Sequence, residues 1–125
     1  MRPISAIVVH KDSSFIETLA SSLRQHFRLV NTASSADGAR SQIRNHHAQL
    51  LIIDLESVDL EQIKLLNMEF SGITIVCTHR LADEELWLQA LRAGAADCCH
   101  ESDIRGIVLA ACRDQKALPG RSAAA

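Results

Sequence analysis

Three side chains stand where chemistry could be done: the carboxylate of Asp54, the hydroxyl of Thr78 and the imidazole of His10. Each follows an apolar stretch: Leu50-Leu51-Ile52-Ile53 before Asp54, Ile73-Thr74-Ile75-Val76-Cys77 before Thr78, and Ile4-Ser5-Ala6-Ile7-Val8-Val9 before His10. The run into Asp54 is apolar at every position rather than at alternate ones, which reads as a strand buried on both faces in a helix-covered parallel sheet. Asp54 then lies at the carboxyl end of that strand, on the edge where open α/β sheets bind ligands. It either takes part in chemistry there or merely caps the next turn, and its neighbours decide which. A free-standing enzyme is not expected. No nucleophile and base can be set together at this edge except through His10, whose expected role is packing or contact behind the site.

The elements that must position these residues alternate along the chain. The first strand, Ile4 to Val9, leads through His10-Lys11-Asp12 to a helix capped by Asp12 or Ser13 and carrying Phe15, Ile16, Leu19 and Leu23. That helix is predicted to end near His26-Phe27, before a short second strand from Arg28 to Thr32. Ser34-Ser35 and Asp37 start a second helix with Ala36, Ala39 and Ile43 inward. After Asp54 a third helix runs through Leu60, Ile63, Leu65, Leu66 and Met68 and is ended by Gly72. Ile73 to Cys77 is the fourth strand, closing on Thr78. Ala82-Asp83-Glu84-Glu85 opens the fourth helix with carboxylates in its first turn, where the helix dipole favours them, and Gly94 ends it. Ala96 to His100 is a fifth strand, and Ser102-Asp103 caps a last helix with Ile104, Ile107, Val108 and Ala111 on one side. Such alternation with short connections predicts a doubly wound α/β fold: a flavodoxin-like parallel sheet of five strands in order 2-1-3-4-5, with five helices. The domain is expected over residues 1–117, with 118–125 a linker or frayed tail.

Composition narrows the function. A chain of 125 residues with 47% hydrophobic residues is one compact domain. A net charge of -2 argues against direct nucleic-acid binding, which needs a basic stripe. No apolar run is long enough to cross a bilayer, and the start Met1-Arg2-Pro3-Ile4 enters a strand rather than a cleavable signal, so a cytoplasmic location is expected. Cys77, Cys98, Cys99 and Cys112 fit no zinc spacing, and His46-His47 are adjacent rather than set apart as ligands; thiols in a reducing compartment are expected. His10-Lys11-Asp12-Ser13 holds no glycine, which argues against a nucleotide or flavin at the first turn.

Over nearly its whole length the chain resembles the receiver domains of two-component response regulators. The resemblance is carried by Ile7-Val8-Val9, by Leu51-Ile52-Ile53-Asp54, by Ile75-Val76-Cys77-Thr78, and by Ala93-Gly94-Ala95-Ala96-Asp97. It implies that Asp54 is the phosphoacceptor, served by a histidine kinase, that Thr78 is the switch hydroxyl, and that Cys98 stands at the family's aromatic switch position. It also implies an acidic pair after the first strand holding a divalent cation, and a lysine after the fifth strand contacting the phosphoryl group.

The chain departs from that pattern. His10 and Lys11 occupy the acidic-pair positions, and Asp12 falls one residue late. The lysine position falls on Glu101 or His100, depending on the anchor, and Ser102 replaces the proline after it. The segment after Asp54 is shorter than in the family and lacks its Pro-Gly turn. Neither an imidazole nor an ammonium offers magnesium a hard oxygen, so no magnesium or other metal is expected. Glu101 would repel a phosphorylated Asp54.

The first reading is therefore a degenerate pseudo-receiver with a pocket of His10, Lys11, Asp12, His100 and Glu101, acting through protein contacts. In it the Lys11 ammonium either pairs with Asp54 in place of the cation or points into solvent. The alternative is a working phosphoacceptor in which Asp12 shifts in as a ligand and His10 contributes. On the fourth helix Leu86, Trp87 and Leu88 cannot all be buried. Trp87 either anchors a homodimer or partner on the face of helix 4, strand 5 and helix 5, or folds back along Leu91. The end of the chain, Ile107 to Ala110 and Gln115-Lys116-Ala117-Leu118-Pro119, resembles receivers of LuxR-type transcription regulators. That likeness implies a DNA-binding domain beyond this segment.

Overall fold

The structure, a computed structural model, describes residues 2–81 and 83–113; the expected tail at 118–125, the boundary at 117 and the LuxR-like segment 115–119 lie outside the described residues. Ten elements alternate: β1 (Arg2–Val9), α1 (Ser13–Leu23), β2 (Phe27–Ala33), α2 (Ala36–His46), β3 (Leu50–Asp54), α3 (Leu60–Glu69), β4 (Thr74–His79), α4 (Glu84–Ala93), β5 (Asp97–His100) and α5 (Ile104–Arg113). The strands form one parallel sheet in the order β2-β1-β3-β4-β5, the predicted doubly wound arrangement.

Strand composition explains the layering. All five residues of β3 are buried, as expected for the middle of a sheet covered on both faces. Alternate residues feed two separate cores. Ala6, Val8, Leu50, Ile52 and Val76 pack with Leu19, Leu23 and Ile107, beneath α1 and α5. Ile7, Val9, Leu51, Ile53 and Ile75 pack with Ile43, Ile63, Leu66 and Ala90, beneath α2, α3 and α4. No described helix is long and apolar enough to cross a membrane.

Several element bounds differ by a residue or two from the sequence reading, and that of α1 differs most. Helix α1 stops at Leu23 rather than near His26-Phe27, and Phe27 becomes the first residue of β2 with no exposed surface. Helical periodicity continues formally to Phe27, but burial of its ring against Leu23 and Val30 in the first core outweighs another turn. On α3 only Ile63 and Leu66 are buried, while Leu65 and Met68 lie on the solvent side. Helix α4 buries only Ala90, and Trp87, Leu88 and Leu91 are exposed. It ends at Gly94, whose φ of 120° is open to glycine and costly for other residues.

Candidate functional site

Asp54 is 1% exposed at the carboxyl end of β3, directly beside Thr78 in the β3–β4 register. The chain turns tightly after it: the N–H groups of Ser57 and Val58 both donate to the Asp54 carbonyl, at 3.1 and 3.3 Å. That turn swings Ser57 back over the carboxylate, so that its hydroxyl donates to Asp54 Oδ2 at 2.6 Å. The same hydroxyl accepts the Lys11 backbone N–H at 2.8 Å, tying the β1–α1 loop to the β3–α3 loop. Sequence reasoning passed over Ser57. A hydroxyl three residues after the aspartate is the only signal it leaves, and a short Ser-turn is common without function.

His10 and Glu101 close the pocket from either side. Backbone bonds set both: His10 N–H donates to Ala33 O at 3.1 Å, and Glu101 N–H donates to His79 O at 2.9 Å. The His10 ring is buried against Phe15, its Nε2 3.7 Å from Asp54 Oδ2 and 3.4 Å from Glu101 Oε2. Its other nitrogen, Nδ1, accepts the Asp12 N–H at 3.0 Å. With Nδ1 turned to the Asp12 N–H, Nε2 is the ring atom that faces the two carboxylates. Asp54 Oδ1 and Thr78 Oγ1 are buried without a hydrogen-bond partner among the described residues.

The other residues expected in this pocket point elsewhere. Of the two placements considered for the Lys11 ammonium, the structure shows the outward one: the residue is exposed and Nζ donates to the Glu56 carbonyl at 3.4 Å. The ion pair with Asp54 is not formed. The reason is local, since the Lys11 N–H is held by Ser57 inside the loop and the side chain leaves on the far side. Asp12 does not reach Asp54 either. Its carboxylate caps α1, accepting from the N–H groups of Ser14 and Phe15, and these bonds hold its pKa below the ordinary value. His100 is exposed, its Nδ1 accepting from Ser102 Oγ and N, with the ring edge-on to His79. Of the two residues at the lysine position, Glu101 is thus the one at the site. Outside the pocket Arg80 forks onto Glu56 at 2.6 and 2.9 Å, which lowers the Glu56 pKa and raises that of Arg80.

Cys98 lies half-buried opposite Cys77 in the β4–β5 register. A hydrogen bond between the two thiols lowers the pKa of Cys98, and that bond with burial raises Cys77 well above its usual range. Cys99, on the other face, is pushed up to about 12 by burial.

No family model matches the chain, and no curated protein matches it in sequence. Solved structures do. The receiver domain of NtrX from Brucella abortus superposes with a TM-score of 0.79 at 20% identity, covering 91% of this chain and 100% of that one. The receiver domain of the Francisella response regulator 1452 superposes at 0.78 and 14% identity, over 90% of this chain and 97% of that one. A two-component response regulator of the LuxR family from Aurantimonas sp. SI85-9A1 superposes at 0.76 and 17% identity, over 86% of this chain and 81% of that one. With the sheet order, the five flanking helices and a buried aspartate at the end of β3, these superpositions establish that the chain has the fold of a response-regulator receiver domain.

Proposed function

We propose that this chain is a degenerate receiver of a two-component system, which signals through protein contacts and whose phosphoacceptor pocket carries His10 and Glu101 beside Asp54. The observation that carries this reading is Glu101, whose carboxylate lies 3.4 Å from the His10 ring that in turn faces Asp54. A phosphoryl group on Asp54 brings close to two negative charges, and Glu101 meets them with a third. The magnesium ion implied by the fold family fits this donor set poorly. His10 offers nitrogen where magnesium wants oxygen, and the Asp12 carboxylate is already spent on capping α1. Incubation with acetyl phosphate and magnesium is expected to give no phosphoryl adduct on Asp54 by intact mass. A stable adduct at ordinary magnesium concentrations would establish instead the working phosphoacceptor, the reading that the unpartnered Thr78 hydroxyl beside Asp54 favours.

The partner in this reading is a histidine kinase, another signalling protein or a second copy of the chain, met in the cytoplasm. DNA binding, where it occurs, is assigned to a domain outside these residues, as in LuxR-type regulators. The contact surface is the face of α4, β5 and α5. Support comes from Trp87 and Leu88, which are 43% and 52% exposed on α4, and from Leu109 on α5 at 56%. An exposed tryptophan among leucines is the type of residue that anchors interfaces. Trp87→Glu is expected to convert a dimer to a monomer in sedimentation without changing the circular dichroism spectrum. An unchanged mass would remove Trp87 from the interface.

A further inference from the structure

We propose that His10, Asp54 and Glu101 together bind a divalent transition-metal ion of the zinc class, a site that builds on the degenerate-receiver reading by naming what the pocket takes in place of magnesium. One ligand atom from each of the three residues lies within 4.8 Å of the other two. The His10 Nε2 distances, 3.4 Å to Glu101 Oε2 and 3.7 Å to Asp54 Oδ2, bracket little more than the edge of a tetrahedral zinc site, about 3.4 Å for bonds of about 2.1 Å. Three protein ligands leave one position open, as in zinc centres that hold a water or a small ligand. An imidazole among carboxylates suits zinc, copper, nickel or iron better than magnesium or calcium.

Independent observations point to a ligand at this place. Thr78, 1% exposed and in register with Asp54, has no partner for its hydroxyl among the described residues, and Asp54 Oδ1 is likewise buried and unpartnered among them. Charge gives the sign of that ligand. A single ring nitrogen, Nε2, faces two carboxylates whose side chains are 0% and 13% exposed, at distances longer than the 2.7–2.9 Å typical of charge-assisted bonds. The nearby cations are engaged elsewhere, Arg80 by the Glu56 carboxylate and Lys11 by the Glu56 carbonyl. A divalent ion compensates both carboxylates at once.

Binding carries a structural consequence. A metal on Nε2 leaves the remaining ring proton on Nδ1, opposite the Asp12 N–H that now donates there, so that hydrogen bond breaks. Because Asp12 caps α1, occupancy is coupled to the head of that helix.

The test is a titration of the metal-stripped chain with Zn²⁺ against a chromophoric chelator, with Co²⁺ as the spectroscopic probe. Expected are one tight ion per chain, cobalt d–d bands without thiolate charge transfer, and a shifted Asp12 amide resonance. Glu101→Gln and His10→Gln are each expected to weaken Zn²⁺ binding by about a hundredfold. Glu101→Gln is the isosteric control for folding, checked by its melting temperature, and a double variant His46→Ala/His47→Ala is expected to bind as the parent does. No binding, thiolate bands, or unchanged affinity in Glu101→Gln would overturn the site. None of these measurements uses phosphate or magnesium. Failure here leaves the degenerate-receiver reading standing, and an acetyl phosphate adduct there leaves the zinc titration to be judged by its own variants.

Discussion

A chain carrying His10→Asp, Lys11→Asp and Glu101→Lys is expected to take a phosphoryl group on Asp54 from acetyl phosphate in the presence of magnesium faster than the parent chain. His10→Asp supplies an oxygen that a hard cation needs after β1, Lys11→Asp adds negative charge to that loop, and Glu101→Lys places an ammonium where Glu101 now stands against His10. Removing a repelling carboxylate and adding two electrostatic contacts to the transferring group should raise the rate of adduct formation by on the order of 10²–10³-fold, the scale of one well-placed charge stabiliser. Glu101→Lys alone should achieve less, because His10 still denies the cation its oxygen ligands. The measurement is intact mass against time, with a further Asp54→Asn substitution as the control that must abolish the adduct. Absence of any adduct in the triple variant, with a native circular dichroism spectrum, would show that the shortened loop after Asp54, pinned by Ser57, blocks the reaction independently of charge.

The largest stability effect is expected at Phe27. Its ring has no exposed surface and fills the first core with Leu23 and Val30, at the start of β2, an edge strand of the sheet. Phe27→Ala should cost about 3–5 kcal/mol, the lost transfer energy plus the cavity left behind. For a domain whose whole stability is about 5–15 kcal/mol, that is a large fraction. Urea denaturation would show it as a lower midpoint at unchanged slope. A loss under about 1 kcal/mol would mean that the core closes over the vacancy, contrary to the usual incomplete relaxation around buried aromatics.

Phe27 also shows where reading by period fails. It continues the apolar spacing of α1, so periodicity extends the helix to it, whereas the edge of the sheet claims it as the start of β2. Pattern alone does not weigh a further helical turn against a ring buried under another strand.

The order of strands, the layering of helices and the placement of Asp54 and Thr78 side by side were legible in the amino-acid sequence. They follow from runs of Leu, Ile and Val whose local character fixes strands, and from handedness rules that leave few ways to connect them. Tertiary structure decided which of the five pocket candidates read from the sequence come together beside Asp54: His10 and Glu101, and not Lys11, Asp12 or His100. His10 follows β1 and Glu101 follows β5, 91 residues apart, and they meet because the carboxyl ends of the parallel strands lie on one edge of the sheet. It also decided that Ser57 caps the carboxylate, that Lys11 turns to the Glu56 carbonyl and that Asp12 serves α1. Side-chain directions in loops are set by hydrogen bonds to distant backbone, and no local pattern of residue types encodes those partners.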